Sequence, residues 1–234
     1  MRRFIKFITG LVIVLALAFG ALNLYFRTTY PIANKVRSAA NDRIKTYHIH
    51  ALTYGQIPKT FREAVISTED RRFANDPGID PVGILRSLWV DIQKDGYVEG
   101  GSTITQQLVD NTLLSKQKTL HRKALQMFYA VGIYDTMSKH EVFTLYTNVI
   151  YFGQNAYGLY NAAETYFGKT PDQCTDGELT LLAGLPNAPS AYNPFRSLTL
   201  ARARQKVVLE NMVDAGVINE AKSRKIYAEP LHLR

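Results

Sequence analysis

The sequence predicts a predominantly α-helical domain that follows one membrane-spanning helix. Three observations support this class. A run of about twenty uncharged residues, 7–26, lies near the N-terminus. Helix-capping signals recur at short intervals along the rest of the chain, and few segments show the apolar–polar alternation of strands. Because helices and strands do not alternate along the chain, a doubly wound nucleotide-binding fold is disfavoured.

The uncharged run of residues 7–26 has the length of a helix that crosses a bilayer core. A cleaved signal peptide is the alternative, because small residues between positions 16 and 21 offer cleavage sites. The run is longer than a usual signal core and stays apolar past those residues. These two features favour an uncleaved anchor.

The net charge of +8 is concentrated at the N-terminal end. Residues 1–50 hold eight Lys/Arg and one Asp, a balance of +7, and residues 51–234 hold the other twenty Lys/Arg and nineteen Asp/Glu, a balance of +1. A nucleic-acid-binding protein usually carries its basic excess on the folded domain. We therefore expect an anionic membrane surface as the partner, and no nucleic acid.

The predicted organisation has four parts. A cytoplasmic tail (1–6) precedes the transmembrane helix (7–26), a juxtamembrane segment (27–50) and an enzyme domain (51–234). Basic residues flank both sides of the anchor, but long domains translocate largely regardless of such charges. We predict a single-pass protein of the cell membrane, with its N-terminus in the cytoplasm and its domain on the extracytoplasmic face.

Within the domain, the helix starts are predicted from capping pairs and from residues before proline. They are Thr60 with Glu63, Asp80 with Pro81, Thr103 with Gln106, Ser138 with Glu141, and Thr175 with Glu178. A long helix is predicted between Asn193-Pro194 and Gly216, and a short one from Asn219.

The first candidate site is the adjacent pair Glu69 and Asp70, at the predicted end of a helix. The helix dipole is negative there, which disfavours ionised carboxylates and tends to raise their pKa. A carboxylate with a raised pKa suits a general base working near neutral pH. A salt bridge to Arg71 or Arg72 is the structural alternative, and by itself it is the commoner arrangement.

The second candidate site is the glycine turn at Gly100 and Gly101 and the helix that follows it. Glycines let the backbone approach a ligand closely, and a helix N-terminus offers free N–H groups to a phosphate. Neutral donors follow at Ser102, Thr103, Gln106 and Gln107. An ordinary capped helix after a glycine turn is the alternative.

The third candidate site is Arg122-Lys123 with Gln126, on a predicted helix. Two adjacent cations can neutralise a diphosphate. A solvated charged pair is the default alternative. Each of the three clusters is a weak indication by itself.

The order and spacing of the clusters resemble glycosyltransferase family 51, the peptidoglycan glycosyltransferases. EDRRFANDPGID (Glu69–Asp80) is similar to the first family motif, GGSTITQQL (Gly100–Leu108) to the second, and Arg122-Lys123 to part of the third. Two further stretches also look like the family: LYTNVIYFGQNAYGLYNAAETYFGK (Leu145–Lys169) and LAGLPNAPSAYNP (Leu182–Pro194).

The resemblance covers about residues 50–230 and is specific in its second motif. No transpeptidase domain follows before Arg234. The sequence is therefore expected to be one of the monofunctional, single-pass members.

The resemblance implies a lysozyme-like, bilobed helical domain that polymerises lipid II into glycan strands in bacterial cell-wall synthesis. Inverting transfer would form β-1,4 links and release polyprenyl diphosphate. The implied partners are lipid II, the growing lipid-linked glycan and the cytoplasmic membrane, with other wall-synthesis and division proteins as further candidates. No cofactor is required and no protein metal site is expected, although a divalent cation (Mg²⁺ or Mn²⁺) is compatible with the diphosphate.

The resemblance also implies roles for individual residues. Glu69 would be the base that takes the proton of the acceptor hydroxyl, and Asp70 and Gln126 are the other candidate catalytic positions. Substrate binding is implied for a larger set, namely Phe73, Gly101, Ser102, Thr103, Gln106, Gln107, Arg122 and Lys123.

Four positions depart from the family pattern. Asp76 stands where the family has His, Asp110 where it has Lys, Gln126 where it has Glu, and Thr144 where Glu is common. Gln126 is the most serious departure, because an amide cannot carry charge or act as a base. The departures motivate one alternative, a degenerate, weakly active or non-catalytic scaffold of the wall-synthesis machinery. A lysozyme-like glycan hydrolase or lyase is a second alternative, against which the GGSTITQQL string argues.

Overall fold

The computed structural model of the chain describes residues 2–80, 83, 101–115, 117 and 119–234. The α-helices of these residues are α1 (Arg2–Thr28), α2 (Ile32–Thr46), α3 (Lys59–Glu69), α4 (Ile104–Thr112), α5 (Leu120–Tyr134), α6 (Lys139–Val149), α7 (Leu159–Phe167), α8 (Asp176–Gly184), α9 (Leu198–Asp214) and α10 (Glu220–Ala228). Single 3₁₀ turns are formed by Tyr54–Gln56, Pro171–Gln173 and Leu185–Asn187.

The predominantly helical class is confirmed. In the described residues, β pairing is limited to an isolated antiparallel bridge between Tyr151 and Tyr157. The finer expectation of a lysozyme-like, bilobed arrangement stays a prediction.

The predicted anchor, residues 7–26, falls within α1. Several side chains of this run lie outside the described set. In the part of the chain that the structure describes, no helix combines the length and the apolar character needed to cross a membrane.

The C-terminal end of α1 docks onto α5. Phe26 is 1% exposed and its ring lies 4.7 Å from that of Phe128, centroid to centroid, in an edge-on contact. Gly132 on the next turn of α5 makes room for the Phe26 ring, because a Cβ at that position would lie 2.6 Å from a ring carbon. The anchor candidate is thus joined to the domain by direct side-chain packing.

The predicted juxtamembrane segment, residues 27–50, contains the helix α2, which the sequence analysis did not predict. Ile32, Val36 and Ala40 are buried at helical spacing on one face of α2. This face packs against α4, α5 and α6. The missed helix has a narrow apolar face made partly of alanine, in a segment that is otherwise polar, so its periodicity is weak.

The helices pack mainly as two groups, α3 with α8 and α9, and α2 with α4, α5 and α6. In the first group, α3 buries Phe61, Ala64 and Val65 along one face. The helix begins at Lys59, after Pro58, so the predicted start at Thr60 was wrong. The hydroxyl of Thr60 instead donates to Oδ1 of Asp176, which binds α3 to α8.

The capping boxes predicted at Thr103 and Thr175 are confirmed. Ser138 caps α6 as predicted, but the carboxylate of Glu141 binds the guanidinium of Arg37 on α2, with Nε and Oε1 2.6 Å apart.

Two C-terminal helices match the predictions. The long helix α9 ends just before Gly216, and α10 is capped by Asn219. The helix predicted from Asp80-Pro81 lies outside the described residues, apart from Gly83, whose N–H donates to Oδ1 of Asp80.

Candidate active site

Glu69 is the last residue of α3 and faces a cleft between the two groups of helices. The end of α3, the loop that follows it, the turn at residues 101–103 and Asn211 of α9 line this cleft. The Glu69 side chain is 13% exposed, which leaves its carboxylate accessible without being surrounded by bulk water.

Each carboxylate oxygen of Glu69 has a polar partner from a different helix. Nε2 of Gln107 on α4 donates to Oε2 at 2.7 Å, and a guanidinium nitrogen of Arg204 on α9 lies 3.4 Å from Oε1. The hydroxyl of Tyr146 on α6 donates to Oε1 of Gln107 at 3.3 Å. Three helices therefore fix the orientation of this carboxylate.

Asp70, the adjacent carboxylate, is buried in the wall of the cleft. Its Oδ2 accepts a hydrogen bond from the backbone N–H of Ile104 at 3.1 Å, at the first turn of α4. Burial, with a smaller contribution from the neighbouring Asp76 carboxylate, raises the pKa of Asp70 to about 7, although the Ile104 N–H and Lys139 oppose the shift. The main cause is burial rather than the helix end from which we predicted a raised pKa.

Asp76 occupies the position where the family has His. Its Oδ1 accepts from the N–H of Gly78 at 2.6 Å, and its Oδ2 pairs with Nζ of Lys139 at 3.1 Å. Burial raises the pKa of this carboxyl, and the Lys139 ammonium opposes that shift. Asp76 thereby ties the loop after α3 to the start of α6.

The other residues of the first motif have structural contacts. Arg72 forms a two-point pair with Asp80 rather than with Glu69 or Asp70. Phe73, predicted to bind substrate, is buried in the core with its ring 6.0 Å from that of Phe143. These contacts shape the loop that carries the motif.

The glycine turn is held by a buried cap. Gly100 lies outside the described residues, and Gly101 lines the cleft. The Thr103 hydroxyl donates to the carbonyl of Gly78 at 2.7 Å and accepts from the N–H of Gln106, whose side-chain oxygen accepts from the N–H of Thr103. Both side chains are buried, so they position the turn and the start of α4.

The third cluster lies across α4 and α5. Nζ of Lys123 donates to the hydroxyl of Ser102 at 2.6 Å, which places this cation beside the glycine turn. Arg122 pairs with Asp110, with NH1 2.8 Å from Oδ1. Gln126 is 2% exposed, and its amide donates to Oδ2 of the same Asp110.

The structure brings the first two clusters together at one cleft, and Lys123 of the third cluster contacts it through Ser102. Three participants were missed as site residues by the sequence analysis, namely Tyr146, Arg204 and the Asp110 carboxylate as a partner of Arg122. Arg204 is separated from Glu69 by 135 residues, and nothing in the local sequence connects the two. Asp110 was noticed only as a departure from the family pattern.

Thr144, the fourth departure, makes a local contact only among those described, donating from its hydroxyl to the carbonyl of His140 at 2.7 Å. Metal ligands do not cluster in the described part of the chain, which has no group of three or more His, Cys, Asp or Glu able to hold an ion.

Comparisons with known proteins agree with the motifs. A family model described as Transglycosylase matches residues 37–213. Penicillin-binding protein 1A of Escherichia coli is 44% identical over 181 residues, which is 77% of this chain and 21% of that protein. A Cupriavidus necator protein named as a transglycosylase is 42% identical over 180 residues, 77% of this chain and 78% of that protein.

The crystal structure of penicillin-binding protein 1A from Haemophilus influenzae aligns with 56% of this chain and 16% of that chain, at 29% identity and a TM-score of 0.38. The chain spans about a fifth of the length of the penicillin-binding protein 1A relatives that it matches.

Proposed function

The chain belongs to the transglycosylase family, and from that premise we propose that it polymerises lipid II into the glycan strands of peptidoglycan. The observation that carries the proposal is the placement of Glu69 at the cleft, with its carboxylate held by Gln107 and Arg204.

In the proposed reaction, Glu69 takes the proton from the 4-hydroxyl of the acceptor sugar. The electron pair of that hydroxyl oxygen attacks the anomeric carbon of the donor glycan. The bond from this carbon to the diphosphate oxygen breaks at the same time, which gives a β-1,4 link with inversion. The Gln107 amide and the Arg204 guanidinium orient the carboxylate while it acts as the base.

The leaving polyprenyl diphosphate already carries negative charge, so it needs stabilisation more than protonation. Lys123 contacts Ser102 of the glycine turn, and Arg122 is the adjacent cation on α5. We assign the diphosphate to this side of the cleft, where positive side chains and the turn at residues 101–103 meet.

In this proposal Asp70 and Gln126 do not contact the substrate but position other residues of the site. Asp70 is buried against the first turn of α4, and Gln126 is buried against Asp110. Both residues therefore position the groups that line the cleft.

We also propose that residues 7–26 anchor the domain to the cytoplasmic membrane, with the domain outside. The support is the uncharged run in the sequence and its continuity with α1, a helix of 27 residues. Both substrates carry polyprenyl chains, so an anchored enzyme meets them at the membrane surface. Carbonate extraction of cell membranes and protease protection of the domain test this placement.

That no cofactor is required, although Mg²⁺ or Mn²⁺ is compatible with the diphosphate, stays a prediction. Mg²⁺ usually binds through substrate phosphates together with one or two carboxylates. Rates measured with EDTA and then with Mg²⁺ or Mn²⁺ restored would show whether polymerisation requires the ion.

The deciding experiment uses the full chain in detergent with labelled lipid II. We expect polymer from the wild type and none from Glu69→Gln. Glu63→Gln is the matched control, because Glu63 lies on the same helix and pairs only with Lys59 among the contacts described. The control should retain the wild-type rate. Equal polymer from wild type and Glu69→Gln would remove Glu69 from its role.

The same assay separates the alternatives. Absence of polymer from the wild type, where another family member works, would favour a scaffold. Shortening of added glycan would favour a hydrolase or lyase.

A further inference from the structure

Two of the four departures from the family pattern are in direct contact. Asp110 on α4 accepts a hydrogen bond at Oδ2 from the side-chain amide of Gln126 on α5. In the sequence these two positions are sixteen residues apart and show no sign of a connection. In the structure they form one polar contact.

The same carboxylate also pairs with Arg122, the cation next to Lys123 on α5. Oδ1 of Asp110 accepts from Arg122 at 2.8 Å, and the two side chains are 23% and 22% exposed. Arg122 and Gln126 are one helical turn apart, so both face α4. One carboxylate therefore binds two neighbouring side chains of α5.

The polarity of the contact is fixed by chemistry. An ionised carboxylate only accepts hydrogen bonds, so Gln126 must present its amino group to Asp110. A glutamate at position 126 would instead set two carboxylates against each other, and one of them would have to keep a proton. Glutamine at 126 is thus compatible with an ionised carboxylate at 110, whereas an ionised glutamate is not.

The oxygen of the Gln126 amide lies at the end that does not contact Asp110. Its Oε1 is buried and has no hydrogen-bond partner among the described residues. A buried acceptor without a donor is unfavourable. Burial also raises the pKa of Asp110, while Arg122 and Lys123 oppose the shift and favour the charged form.

We propose that Asp110 is a positioning residue of the cleft, which brings the negative charge that position 126 lacks and holds Arg122 for the substrate diphosphate. The inference rests on the proposed function for the identity of that diphosphate. Asp110 and Gln126 are then one coupled exchange rather than two losses.

A double-mutant cycle on the full chain tests the coupling. The variants are Asp110→Lys, Gln126→Glu and the two together, each measured for kcat and KM with lipid II and for the thermal unfolding midpoint. Each single change should lower kcat/KM at least tenfold. Asp110→Lys places a second cation beside Arg122, and Gln126→Glu places a second carboxylate beside Asp110. The double variant restores opposite charges at the contact and should exceed both single variants in kcat/KM and in midpoint.

Asp110→Asn separates positioning from folding. It keeps the shape and loses the charge, so we expect a midpoint within a few degrees of wild type, a raised KM and a lower kcat/KM. Asp214→Lys, at an exposed carboxylate on α9, controls for the change in net charge and should behave as wild type. Additive effects in the cycle, or a wild-type kcat/KM in Asp110→Asn, would overturn the proposal.

Binding of geranylgeranyl diphosphate by the same proteins in detergent distinguishes a failure of the proposed function from a failure of the role proposed for Asp110. If the wild type makes no polymer but the cycle still shows coupling in diphosphate binding and in midpoint, the proposed function fails and the role of Asp110 stands. If polymer forms but binding and midpoint are additive, the proposed function stands and the role of Asp110 fails.

Discussion

Gln107 donates a 2.7 Å hydrogen bond from Nε2 to the Oε2 atom of Glu69, across the cleft from α4 to α3. The hydroxyl of Tyr146 occupies the other end of the same amide. Because a tyrosine hydroxyl donates to the amide oxygen, the amino end is directed at the carboxylate. The Glu69 carboxylate is thus oriented by a chain of two hydrogen bonds.

Gln107→Leu keeps the size of the side chain and removes both hydrogen bonds. We expect kcat/KM to fall by roughly tenfold to a hundredfold, since a misplaced catalytic group costs rates of that order. Lipid II polymerisation measures the effect. Gln117→Leu, at an exposed glutamine, should keep the wild-type rate, and an equal loss in both variants would contradict the orienting role.

Arg204→Ala should lower kcat/KM by about tenfold or more, because the guanidinium holds the second oxygen of Glu69. Arg202→Ala is the matched control on the same helix, where the guanidinium donates to the carbonyl of Tyr227. We expect that control to lose stability but to keep its rate per folded molecule. A similar kinetic loss at both positions would point to a general effect on α9.

The stability of the protein should decrease as the pH rises from about 5.5 to about 7. Asp70 has a folded pKa of about 7, above the ordinary value near 3.9, so in this window the folded state binds more protons than the unfolded state. The loss is at most about 2 kcal/mol from this group, which corresponds to several degrees of unfolding midpoint.

Midpoints measured by scanning calorimetry at pH 5.5, 7 and 8 test this dependence. Asp70→Asn should flatten the curve between pH 5.5 and 7, whereas Asp172→Asn, at an exposed carboxylate, should leave it unchanged. Burial also raises the pKa values of Asp76 and Asp110, so any slope that remains in the Asp70 variant is assigned to these two carboxyl groups. Stability that rises with pH across this window would contradict the assignment.

Gly78→Ala should destabilise the domain strongly. Gly78 has φ +88°, and an added Cβ would lie 2.7 Å from the carbonyl carbon of Ala130 and nearer still to its oxygen. Gly216→Ala is the control, since Gly216 has φ +70° with open space around it and carries only the backbone cost of about 1–2 kcal/mol. The unfolding midpoint should be highest in the wild type, lower in Gly216→Ala and lowest in Gly78→Ala. Equal losses in the two variants would show that the backbone at Ala130 moves to accommodate the added Cβ.

Local signals in the sequence predicted the local structure well. The caps at Thr103, Thr175 and Asn219 are each made by the residue that the pattern indicated. Such caps involve atoms three residues apart, so the sequence window contains both partners. The prediction at Thr60 was wrong because its hydroxyl binds Asp176 on another helix, a partner that lies outside this window.

The partners of the candidate base could not be predicted in this way. Gln107 and Arg204 contact Glu69 from two separate helices, and Tyr146 binds Gln107 from a third, so these contacts depend on how the helices pack. The contact between Asp110 and Gln126 is of the same kind. Resemblance to a family identified the cleft residues, and packing determined which of them touch the base and which are buried behind it.

The ion pair between Glu69 and Arg204 has a consequence for the newly made chain. Synthesis proceeds from the N-terminus, so α3 and α4 emerge long before α9 is available to fold against them. Until then the carboxylate lacks its guanidinium partner. We expect the nascent protein to stay inactive while it emerges, and to become active only when its last third docks.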